Sequence, residues 1–149
     1  MNARALAVRN LTYAMLVGSG RAPTADEVAA VARLSRGEIE DAWRELDREH
    51  ALVLDPGTRD IRMAAPFSAV PTSFRVYAAG RRWYGNCGWD AVGICAALHT
   101  DGRVETTCPD CGGTIAFEVR EQRIPGDDEG LVFHCLVPAA HWWDDIVFT

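Results

Sequence analysis

Along the first fifty residues, apolar positions recur at helical spacing between short polar breaks, and beyond them the spacing shortens to that of strands. Residues 5–17 are apolar enough for a helix, and Gly18, Ser19 and Gly20 stop it. Thr24-Ala25-Asp26-Glu27 is a capping box, in which a threonine hydroxyl and a glutamate carboxylate satisfy each other's free backbone N–H groups. Val28, Val31 and Ala32 give the helix it starts an apolar face. Ser35-Arg36-Gly37-Glu38 is a second capping box, followed by Ile39, Ala42, Trp43 and Leu46 at helical spacing, so a further helix is predicted to about residue 49. Leu52-Val53-Leu54 and Ile61-Arg62-Met63, joined by Asp55-Pro56-Gly57-Thr58, predict a β-hairpin. Three helices and a hairpin make a winged-helix-like half.

Residues 64–71 carry two prolines among small residues and predict an extended linker. The expected organisation is therefore a winged-helix-like domain over residues 1–65 and a second domain over 66–149. In the second, residues 74–77 form a strand and residues 79–82 turn it back toward Trp83 and Tyr84. An apolar helical run follows over 91–98, then strands over 103–107, 114–119 and 131–137, with an exposed polar loop at 122–130. The predicted fold class is α+β: a helical half, then a small antiparallel sheet with one helix.

Composition narrows the function classes. All 15 basic residues are arginines, and the net charge is −6, which gives no general attraction to phosphate backbones or anionic lipids. The would-be recognition helix over 35–49 holds three arginines against six acids, a sign that the DNA groove repels. Neither nucleic acid nor membrane is expected as a partner. The N-terminus lacks a secretory pattern and no stretch approaches a membrane span, so a soluble cytoplasmic protein is expected. Five cysteines, an odd number without a secretory signal, point to thiol or metal chemistry rather than a disulfide framework.

The sharpest chemical cluster is Cys87-Gly88-Trp89-Asp90 at the start of the apolar helix. A thiol and a carboxyl three residues apart at a helix start share one face within a turn. The N–H groups of that turn favour anions, so the Cys87 pKa is expected to fall below about 8.5, with Asp90 passing a proton to or from the sulfur's ligand. Cys95, inside the helix, reads as a buried small residue, and His99 as an exposed helix end. Cys108-Pro109-Asp110-Cys111 followed by two glycines is half of a zinc knuckle, readable as a structural site or a plain turn, with Cys135, His134 or His141 as further ligands. His134 and Cys135 face opposite sides if residues 131–137 form a strand. His141-Trp142-Trp143-Asp144-Asp145 is an aromatic and acidic cluster suited to a pocket mouth or a packed lid.

These residues carry a resemblance. From about Phe74 onward the chain resembles the organomercurial lyase (alkylmercury lyase) family, and its helical half resembles the N-terminal part of those proteins. In that family a Cys-x-x-Asp cluster supplies a cysteine that takes the mercury and an aspartate that shuttles the proton, matching Cys87 and Asp90. A structural cysteine follows the helix, where Cys108 stands. A second catalytic cysteine lies in a Phe-Cys element. Laying Leu136-Val137-Pro138 on the proline before it puts Phe148 and Thr149 there, so this chain departs from the pattern, as a truncated protein or one naturally lacking that thiol. The second thiol is then Cys135, Cys95 or a residue beyond 149. The resemblance implies protonolysis of a carbon–mercury bond in a small organomercurial, with no resident cofactor and an exogenous thiol as co-substrate. The alternative is a non-catalytic protein that binds or senses a soft metal, mercury or zinc.

Overall fold

The computed structural model describes residues 1–124, 126 and 130–147. Both capping boxes form: Thr24 and Ser35 accept from the Glu27 and Glu38 N–H groups, and each glutamate reaches back to its cap. They start α2 (Ala25–Ala32) and α3 (Arg36–Arg48). The first helix, α1, runs over Ala3–Ser19, longer than predicted at both ends. Asn2 caps its start, and Gly18 stays helical. The stop is Gly20, whose φ of 79° lets its N–H return to the Leu16 carbonyl. Val8, Leu16, Val28, Ile39, Trp43 and Leu46 close the space between these helices and are essentially buried. Burying each large side chain contributes roughly 1.5–3 kcal/mol. The Trp43 indole N–H donates to the Thr12 hydroxyl at 3.1 Å inside this core.

Among the described residues seven strands follow: β1 (Val53–Leu54), β2 (Ile61–Ala64), β3 (Phe67–Ser68), β4 (Phe74–Ala78), β5 (Arg81–Gly85), β6 (Gly102–Thr107) and β7 (Thr114–Val119). They form one antiparallel sheet in the order β1-β2-β3-β5-β4-β6-β7. Helix α4 (Gly88–Ala97) connects β5 to β6 and packs on β4, β5 and β6. The fold is α+β. Ala91, Ile94 and Cys95 of α4 meet Val76, Trp83 and Val104 of the sheet in the buried cluster.

Two expectations fail. Residues 64–71 are not a free linker: Ala64 pairs with Phe67 and Met63 with Ser68 around the cis Ala65–Pro66 bond, and Phe67 pairs onward with Gly85. Burial of Ala64 and Phe67 outweighs the proline signal, because Pro66 sits at the turn where no ladder hydrogen bond is needed. Residues 131–137 form no strand. Val132 and Leu136 remain 85% and 76% exposed, and the chain instead presses the Phe133 ring against Gly88 of α4. Of the predicted polar loop, Gln122–Ile124, Gly126 and Gly130 are exposed; its other residues lie outside the described ones. Among the described residues, no helix is long and apolar enough to cross a membrane.

Thr12→Val keeps the volume of that side chain but leaves the Trp43 N–H buried without an acceptor. Urea unfolding should show a loss of about 1–3 kcal/mol. An unchanged midpoint would mean that the indole finds another partner.

Candidate functional site

The site begins where β5 meets α4. A Cβ on Gly85 would lie 2.8 Å from the Ala91 nitrogen and 3.0 Å from its Cα, so strand end and first helical turn touch backbone to backbone. Cys87 follows as the N-cap, with extended φ and ψ of −146° and −177°. Its carbonyl accepts the Ala91 N–H at 2.9 Å, and its sulfur accepts the Asp90 N–H at 3.5 Å. Serine, threonine or aspartate is the usual choice here, because sulfur is a weak acceptor. The expected pairing of Cys87 with Asp90 on one helical turn is present.

The electrostatics differ from expectation. Burial pushes the half-buried Cys87 thiol up, and the Asp90 carboxylate and the charge at Cys135 push the same way. The N–H groups of Asp90 and Trp89 oppose this without reversing it. The first-turn N–H groups favour a thiolate, but here desolvation and a neighbouring acid together outweigh them. Burial also raises the pKa of Asp90, opposed by Asn86, whose amide donates to Oδ2 at 2.7 Å.

Other segments converge on this turn. A Cβ on Gly88 would meet the Phe133 ring at 3.1 Å and Phe74 at 3.6 Å, and the Trp89 and Phe133 rings lie 6.4 Å apart. This docking brings Cys135, exposed and two residues beyond Phe133, near enough for its charge to act on Cys87. From the helical half, the Tyr13 hydroxyl donates to the carbonyls of Ala51 and Ala65 at 3.3 and 3.1 Å. Burial raises its pKa, and the Asp90 charge contributes. Asn86, Tyr13 and Phe133 escaped the sequence reading. Only Asn86 left a signal, its position directly before Cys87.

Cys95 is buried, and a Cβ on the facing Gly102 would come within 2.6 Å of its sulfur, so it fills the seam between α4 and β6. Burial raises its pKa as well. His99 is exposed, as expected. Cys108 has the opposite character from Cys87: the N–H groups of Cys111 and Asp110 and the Cys111 thiol hydrogen-bond to its sulfur and lower its pKa. Among the described residues, no three His, Cys, Asp or Glu side chains are placed to hold a metal, so the four-ligand zinc set is not assembled there. The aromatic and acidic cluster forms a short 3-10 helix over Ala139–Asp144, and its Trp143 stacks on His50 of the helical half at 4.0 Å. The pairing of Phe148 and Thr149 with the family's Phe-Cys element lies outside the described residues. A groove of about 780 Å³ between α3 and the Asp55 turn is lined by charged residues and includes none of the cysteines.

The site is thus a half-buried thiol beside an acid of raised pKa, on the first turn of a helix backed by an antiparallel sheet. The alkylmercury lyase family model, MerB, matches residues 67–149, more than half of the chain. The chain belongs to that family. A solved structure described as the mercury-bound form of MerB2 shares the fold with a TM-score of 0.65 at 18% identity. The match covers 83% of this chain and 59% of that one, so the chain spans under two thirds of that protein's length. No curated protein matches the chain.

Cys108 should react before Cys87 with a small alkylating agent at pH 7, and labelling of Cys87 should keep rising above the ordinary thiol range, because its raised pKa delays formation of the thiolate. Peptide mass mapping across pH checks the order. Faster labelling of Cys87 at pH 7 would show a stabilised thiolate there.

Proposed function

We propose that the chain cleaves the carbon–mercury bond of a small organomercurial by protonolysis, with Cys87 as mercury ligand and Asp90 as proton donor. The observation that carries this reading is the placement of both groups on the first turn of α4 with both pKa values raised by burial. A thiol and a carboxyl on one helical turn suit the first step. R–Hg⁺ displaces the Cys87 proton, Asp90 accepts it, and a sulfur–mercury bond forms. Cys135 is the favoured second thiol, because the Phe133 contact holds its segment against the same turn. Cys135 gives its proton to solvent as its sulfur binds mercury, the carbon–mercury electron pair takes the Asp90 proton, and the hydrocarbon R–H leaves with Hg²⁺ on two sulfurs. Two soft donors push electron density toward carbon, which one cannot do as well. An exogenous thiol serves as co-substrate by releasing the ion.

The helical half acts in this reading as a winged-helix-like support that brings Tyr13 near enough to Asp90 to feel its charge. Contact with nucleic acid is not part of it, given the acidic surface of α3. The exposure of Cys135 favours the second reading, a chain that captures soft metals without cleaving the carbon bond.

Asp90→Asn separates the two. For a lyase, binding of an aryl mercurial persists while release of the hydrocarbon, followed by gas chromatography, falls by roughly 10²–10⁴-fold. Cys135→Ser should slow release too, with partial rescue by a small thiol. A wild type that releases no hydrocarbon even with excess thiol leaves only the capture reading.

A further inference from the structure

We propose that Cys108 and Cys111 form a second, two-thiol site for a soft metal ion, and that it accepts the mercuric ion left by the reaction at Cys87. The acceptor role rests on the lyase reading; the binding site does not. The turn is closed by two backbone hydrogen bonds, from the Cys108 N–H to the Gly113 carbonyl at 2.8 Å and from the Gly112 N–H to the Cys108 carbonyl at 3.0 Å. Gly112 takes a φ of +73°, and a Cβ on Gly113 would lie 3.3 Å from the Cys111 sulfur, so the two glycines fold the turn and leave that sulfur room. Both thiols are free; Cys111 is exposed and Cys108 partly so. Two sulfurs each about 2.3 Å from one ion lie within about 4.6 Å of each other, a separation that a four-residue closed turn supplies. With no third ligand group among the described residues, the site suits an ion content with two thiolates rather than tetrahedral zinc.

Its location matches the role. Phe74 of β4 pairs with Gly85, Arg75 pairs with Glu105, and Thr107 pairs with Thr114, so Cys87 and the Cys108 turn leave the sheet at the same end. Strands β5 and β6 flank β4, a lateral offset of about 10 Å. Val104 and Thr106 are buried, and Val104 joins the cluster with α4; the alternation of β6 carried to Cys108 puts its side chain on that same face. At this corner the Thr106 hydroxyl is buried without a hydrogen-bond partner. The transfer is a thiol exchange without redox change. Mercury leaves the Cys87 and Cys135 sulfurs for those of Cys108 and Cys111, and the two protons lost by the accepting thiols go to the departing thiolates.

The test uses the full chain with Hg²⁺ as probe. C87S/C135S should still retain one Hg²⁺ per chain through dialysis against a small monothiol, releasing two protons per ion in a pH-stat. Adding C108S or C111S should cut retention at least tenfold without moving the thermal midpoint. Equal retention with and without C108S overturns the site. Should C87S/C135S fail to fold, wild type is compared with C108S, where two retained ions should fall to one and an unchanged count overturns the site. For the acceptor role, C108S should leave the first hydrocarbon turnover intact and slow later ones severalfold when thiol is limiting; unslowed later turnovers overturn that role. A wild type that binds at the turn but releases no hydrocarbon defeats the lyase reading and leaves the site standing.

Discussion

The close approach of β5 to α4 governs the rest of the structure. With no side chain at Gly85, the strand end and the first helical turn share backbone contact, and the residue that must cap the helix is then Cys87. The geometry leaves the sulfur half shielded by protein and aimed at the helix N–H groups. A larger residue at position 85 would push the turn outward, exposing both the thiol and the acid.

The same junction explains why both acid–base groups shift upward. Opposite shifts would make one group a ready nucleophile and the other a ready acid before any substrate arrived. Here burial acts on both groups in the same direction, and the Asp90 carboxylate adds to the shift at Cys87.

Local signals were legible in the chain: two capping boxes, a glycine stop, and the Cys-x-x-Asp spacing all describe interactions within four residues. What the sequence concealed depends on tertiary surroundings. The direction of the Cys87 shift requires knowing that burial and Asp90 outweigh the helix start. The apolar run at 131–137 looks like a strand, yet it places Phe133 on Gly88, an interaction over forty residues apart that no local period encodes. The prolines at 66 and 71 mimic a linker, because the pairing of Ala64 with Phe67 is invisible until Phe67 finds Gly85.

That pairing has a mechanical side. Arg81, on the β4–β5 hairpin, donates to the Gly18 carbonyl at 2.8 Å at the end of α1, while at the other side β3 hydrogen-bonds β5. The helical half is thus clamped to the sheet at both ends of β5. Cutting the chain near residue 65 would strip β1 and β2 from the sheet and leave β3 with a bare row of backbone donors and acceptors, the kind of edge along which chains aggregate. A gene fragment designed around the thiol half alone would carry a sticky seam where the intact protein has a continuous sheet.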